Sequence, residues 1–163
     1  MKKILMIAAC ALVGFPVGSV AQESLTEEEA AWFDLIRADI REDKAEFVGE
    51  AMSLSVDEAA VFWPLYEEYE AELKLIWDSH LELIEEYAAN FEGMSDEKAN
   101  ELGEWALDLE VQRIQLLKET FRTMSDDMSA VTAARFIQIE NRIDMLVNLE
   151  IMSELPMLEP RGN

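Results

Sequence analysis

Few side chains in this chain have the type and spacing that chemistry requires. The sole histidine is His80, the sole cysteine is Cys10, and neither a glycine-rich phosphate loop nor a nucleophile elbow is present. Three and four residues from His80 lie Ile76, Trp77, Leu83 and Ile84, all apolar, so a helix through His80 supplies no second metal ligand. Zinc sites need three or four N, S or O donors. His80 therefore reads as a core or interface residue and only a weak metal candidate. Carboxylates are abundant, 35 against 13 Lys and Arg, and pairs such as Glu67-Glu68 and Glu85-Glu86 read as solvated faces. These observations point to a protein that is not an enzyme and holds no cofactor. Met124, Met128, Met145, Met152 and Met157 suit either an adaptable binding surface or a helical core, and packing is the favoured role.

The elements that position these residues follow from the ends inward. MKKILMIAACALVGFPVGSVAQ has two lysines, an apolar run from Ile4 to Phe15, then Pro16 and the small-residue site Ser19-Val20-Ala21. This pattern predicts a secretory signal peptide over residues 1–21, too short to span a bilayer, which takes about 20 apolar residues. Ile7-Ala8-Ala9-Cys10 offers a lipoprotein site as the lesser alternative, because cutting there leaves a very short apolar core. Residues 22–163 then form one helical domain. Losing Lys2 and Lys3 moves the formal net charge from −22 to −24. So acidic a chain is unsuited to the nucleic acid backbone or anionic headgroups, and without cysteine it relies on packing alone.

Strand-like alternation is missing and Gly and Pro are scarce after the leader, so the expected fold is all-α with about four helices. Thr26-Glu27-Glu28-Glu29, with Leu25 as a staple, opens a first helix to about Met52. Ser55-Val56-Asp57-Glu58 is a second capping box. Its helix carries Phe62, Leu65, Tyr66, Tyr69, Leu73, Ile76, Trp77, His80, Leu83, Ile84, Tyr87 and Phe91 on one stripe, with Gly93 expected to end it in the left-handed region. Ser95 caps a third helix, interrupted at Ser125-Asp126-Asp127, and Ser129 starts a fourth. The tail from Pro156 to Asn163 reads as irregular.

Pro64 sits inside the second helix, where it removes a hydrogen bond to the Ala60 carbonyl. Either it curves a continuous helix or it marks a break between two shorter ones. A short repeat is also visible: Leu54-Ser55, Ala59-Ala60 and Phe62 match Met128-Ser129, Ala133-Ala134 and Phe136 at a constant offset of 74.

A signal peptide, a helical mature chain and two hairpin starts with Leu-Thr-x-x-Gln-like boxes resemble the periplasmic Spy/CpxP family and its zinc-resistance-associated relatives. The segments Phe62-Trp63-Pro64-Leu65-Tyr66-Glu67-Glu68-Tyr69 and Ala133-Ala134-Arg135-Phe136-Ile137-Gln138-Ile139-Glu140-Asn141 are similar to stretches of that group, over roughly residues 30–155. The boxes have diverged. Leu54-Ser55-Val56-Asp57-Glu58 keeps the capping chemistry, whereas Met128-Ser129-Ala130-Val131-Thr132 keeps only the hydroxyl. The resemblance implies an antiparallel homodimer of long bent hairpins forming a curved cradle. Pro64 would supply the bend while Trp63 and Tyr66 pack to one side. It further implies a periplasmic ATP-independent chaperone or stress adaptor that takes unfolded or partly folded clients, and the acidic charge of the chain adds a preference for basic ones. A metal-responsive sensor or a helical scaffold without clients are the alternatives.

Overall fold

The computed structural model describes residues 44–158, and every described element is helical. Residues 44–52 are the described part of α1. They are followed by α2 (Val56–Asn90), a short 3-10 turn (Phe91–Gly93), α3 (Asp96–Asp127) and α4 (Ala130–Glu154). The expected leader over residues 1–21, Cys10, the Thr26 box and the last five residues lie outside the described residues. No strand is present among the described residues, and none of their helices is long and apolar enough to cross a membrane.

Each later helix starts at the expected serine because a hydroxyl satisfies an otherwise unpaired backbone N–H. Ser55 Oγ accepts from Glu58 N at 3.4 Å, while Ser55 N donates to Glu58 Oε2 at 2.9 Å, completing the box. The Ser55 hydroxyl, which donates to Glu58 Oε2 at 2.6 Å, and then Ser55 N hold the exposed Glu58 carboxyl below its ordinary value. Ser95 and Ser129 accept from Lys98 N and Thr132 N at 3.1 and 3.0 Å.

Three expectations are corrected. Gly93 does not adopt a positive φ; α2 winds down through the 3-10 turn instead, and the left-handed residue is Ser53 (φ 51°) between α1 and α2. Ser53 N donates to Gly49 O, and Ser53 Oγ to Glu50 O, so side chain and backbone together close α1. Ser125-Asp126-Asp127 does not interrupt α3 but forms its last turn, since Met128 N still bonds to Met124 O. Of the methionines singled out, only Met124 is fully buried; Met128 packs at the edge of the core, and Met145, Met152 and Met157 are exposed.

Pro64 does not divide α2, which runs on for 35 residues, about 52 Å at 1.5 Å per residue. Both Pro64 and Ala60 are exposed. Proline therefore sits on the exposed side of α2, away from the aromatic core on the other side.

The helices pack round two apolar clusters. The larger joins all four: Val48 and Met52 from α1; Phe62, Tyr66, Tyr69 and Leu73 from α2; Leu117 and Met124 from α3; Ala133, Phe136 and Ile139 from α4. The smaller unites Leu83 of α2 with Leu102 and Leu109 of α3, flanked by Ile76, Tyr87, Met94, Trp105 and Ala106. Trp105 Nε1 donates to Ser79 Oγ at 3.1 Å across it, and Lys98 ties α3 to Glu86 of α2 at 2.8 Å. Tyr87 OH donates to the Pro156 carbonyl at 2.7 Å, anchoring the start of the tail.

Candidate functional site

Most residues expected to carry the hairpin motif come together at one end of the bundle. Phe62 and Phe136 are fully buried, and Trp63, Tyr66 and Tyr69 pack round them with ring centroids 5.2–6.2 Å apart. Trp63 lies against Gly49 of α1, where an added Cβ would sit 3.3 Å from the indole. Leu54 packs on the rim of this core. Ser55, Glu58 and Ser129 cap helices at the surface, and Pro64 faces solvent. The motif is a packing device: aromatic rings of two helices interlock beneath two caps.

Beside it lies a cluster that sequence reasoning missed. Lys44 Nζ reaches Glu70 Oε1 at 2.5 Å and Glu140 Oε2 at 2.9 Å, and sits 5.5 Å from the centre of the Tyr69 ring. Tyr69 OH donates to the same Glu140 oxygen at 2.7 Å. The Lys44 and Glu140 side chains are only 9% and 4% exposed. One ammonium thus holds two carboxylates on different helices in a desolvated site. Burial drives the Glu140 carboxyl above its ordinary value, with Lys44 and Tyr69 opposing and Glu70 assisting. Burial likewise pushes the Tyr66 and Tyr69 phenols far above the usual range, and neighbouring carboxylates add to the effect. Glu140 Oε1 and Tyr66 OH are buried without a hydrogen-bond partner among the described residues. The sequence offered one clue, a glutamate on the apolar stripe of α4 one turn after Phe136.

His80 lies elsewhere, in the C-terminal half of α2. Its ring is 5.3 Å from that of Trp77, at a small cavity shared with Glu110 and Arg113 of α3 and Asp144 and Asn148 of α4. The cavity measures about 30 Å³, room for one or two waters. Arg113 pairs with Asp144 at 3.2 Å. Burial pushes His80 below its ordinary value, although Glu110 and Asp144 pull the other way; Asp144 is raised by burial against the pull of Arg113. No three His, Cys, Asp or Glu among the described residues are grouped so that they could hold a metal ion.

The outer surface offers more. Met145, Leu146, Leu149 and Met152 on α4 are 64%, 68%, 66% and 73% exposed. Next to them an open groove of about 440 Å³ between α3 and α4 is lined by Ile114, Leu117, Phe121, Ala134 and Ile137, with Lys118 as the one charged group in its lining. Apolar surface of this extent on a strongly acidic chain suits contact with another macromolecule.

Comparisons with protein-family models, curated proteins and solved structures found no match for this chain.

Proposed function

We propose that this chain is a periplasmic, ATP-independent chaperone or envelope-stress adaptor that acts as a homodimer and holds unfolded or partly folded polypeptides on a helical surface. One observation carries the reading: the exposed face of α4 formed by Met145, Leu146, Leu149 and Met152. Unbranched methionine adapts to many apolar shapes, which suits clients without a fixed structure. The formal charge of −22 keeps such a surface soluble and draws basic segments toward it.

Aggregation of a chemically denatured substrate protein, followed by light scattering with and without zinc, tests this. Protection without metal is expected, with loss of most of it in a Met145→Glu/Leu149→Glu/Met152→Glu variant of unchanged helicity. Protection that appears only with zinc would favour a metal-responsive sensor. No protection under any condition would favour a scaffold.

A further inference from the structure

Apart from Met1 and Met6, the methionines of this chain lie among the described residues, and the fold divides them sharply. Met52 of α1 and Met124 of α3 are 2% and 0% exposed in the larger core, while Met94 and Met128 pack at the edges of the two clusters. Met145 and Met152 are 64% and 73% exposed and belong to neither cluster. They stand two turns apart on one side of α4, with Leu149 between them. Met157, in the tail, is 87% exposed. An exposed thioether is open to a dissolved oxidant, whereas one enclosed by apolar side chains is reached only when the bundle opens.

We propose that Met145 and Met152 form an oxidation site, at which hydrogen peroxide switches off the polypeptide-binding face of α4. The thioether sulfur attacks one peroxide oxygen, and the O–O bond breaks as the S–O bond forms. The proton of the transferred hydroxyl passes to the departing hydroxide, so the products are methionine sulfoxide and water. Sulfur gives up two electrons and the peroxide accepts them. A flexible apolar side chain thereby becomes a polar one. On a face that holds polypeptides by apolar contact, two sulfoxides flanking Leu149 are groups that favour water over a client. The bundle beneath packs on neither side chain, so it keeps its shape. At Met52 or Met124 the same reaction would place a sulfoxide in a dry core, and burial protects both. The change is reversible: a sulfoxide reductase for each epimer returns the thioether, two thiols becoming a disulfide as the oxygen leaves in water. The effect on binding rests on the proposed function, whereas the selectivity of the oxidation depends on burial alone.

Graded hydrogen peroxide applied to the full chain, followed by peptide mass spectrometry, provides the test. Thermal melts and binding of a labelled, chemically denatured polypeptide are read on the same samples. Met145, Met152 and Met157 should gain oxygen at least about tenfold faster than Met52 and Met124. Helicity and Tm should not change, while the polypeptide binds at least about tenfold more weakly and recovers after treatment with the two reductases. Met145→Leu/Met152→Leu, which still carries Met157, should bind equally before and after peroxide. Equal oxidation rates at exposed and buried methionines would overturn the site. Selective oxidation without a change in binding overturns the switch, as does an undiminished loss of binding in the leucine variant or a fall in Tm that accompanies the loss. An untreated chain that binds no polypeptide overturns the functional reading and the switch with it, while Met145 and Met152 stand as mapped sites of oxidation.

Discussion

Phe62 and Phe136 meet edge to face in the centre of the larger core, with ring centroids 5.7 Å apart and neither ring accessible to solvent. Each lies seven residues beyond the serine that caps its helix, Ser55 or Ser129. The offset of 74 seen in the sequence is thus a spatial correspondence: equivalent positions of two helices pack against each other. Truncating either ring removes a large apolar side chain from a site with no route for water. Phe62→Ala and Phe136→Ala are each expected to cost about 3–5 kcal/mol of unfolding free energy. Because the two rings share a contact, the double variant should cost less than the sum. Urea titration followed by circular dichroism measures all three.

The caps should differ in the same assay. Ser55 takes part in a reciprocal box with Glu58, whereas Ser129 offers its hydroxyl to Thr132 N without a returning carboxylate. Ser129→Ala should cost about 1 kcal/mol, the usual value of a cap, and Ser55→Ala somewhat more. Ser55→Ala keeps the backbone donor to Glu58 and loses both bonds of the hydroxyl, so equal losses would show that the donation from Ser55 Oγ to Glu58 Oε2 contributes nothing.

What could be read from the chain alone was what local chemistry decides. Ser55, Ser95 and Ser129 were found because a cap depends on its own next three residues, and Phe62 and Phe136 because an apolar stripe repeats at helical spacing. Gly93 misled because glycine permits a left-handed turn without requiring one; the 3-10 turn used instead leaves Ser53 to take that conformation. The acidic run at Asp126 read as a stop, yet acids in a last helical turn cost only a few tenths of a kcal/mol, about what one more backbone hydrogen bond offsets. The Lys44–Glu140 pair spans 96 positions and exists only once α1, α2 and α4 have assembled. No local rule distinguishes Glu140 from the other 34 acidic residues except its place on an apolar stripe.

That cluster gives a pH-dependent prediction. Lys44→Met leaves two carboxylates facing each other in a desolvated site and is expected to destabilise by about 3–5 kcal/mol near neutral pH. The penalty falls on the ionised form of Glu140, whose pKa is already raised above 4.5 by burial. A raised carboxyl binds its proton more tightly in the folded state, so its contribution to stability increases as pH falls through the folded value and declines as pH rises. Removing Lys44 raises that value further. The deficit of Lys44→Met relative to the parent chain should therefore shrink between pH 7.5 and pH 5, as read from thermal melts. A deficit that does not vary with pH would assign the loss to packing of the lysine stem instead.

Pro64→Ala restores a backbone donor beneath the Ala60 carbonyl. Proline inside a helix costs about 3 kcal/mol even on an exposed face, but the aromatic core of Phe62, Trp63 and Tyr66 is packed on the backbone as the proline leaves it, so alanine recovers only part of that. The expected gain is well below that limit, about 1 kcal/mol, and differential scanning calorimetry measures it. If the bend also shapes the bundle, the same variant should alter dimerisation or client binding; unchanged association would confine the role of Pro64 to local geometry.

The charge of the chain makes the proposed binding of polypeptides sensitive to salt in a defined way. Attraction between a surface of net charge −22 and a basic unfolded chain acts at long range and speeds encounter, but at physiological ionic strength it is screened beyond about 8 Å. Apolar contact with Met145, Leu149 and Met152 acts only after encounter and is not screened. Raising salt should therefore slow the capture of basic unfolded proteins more than it hastens their release. Acidic ones should be captured poorly at low salt and better as salt rises. Stopped-flow fluorescence with a matched basic and acidic pair of unfolded proteins separates the two rate constants. Equal capture rates at low salt would reduce the charge to a solubilising coat, while loss of tight binding in the Met145→Glu/Leu149→Glu/Met152→Glu variant at every salt concentration would still place the holding step on α4.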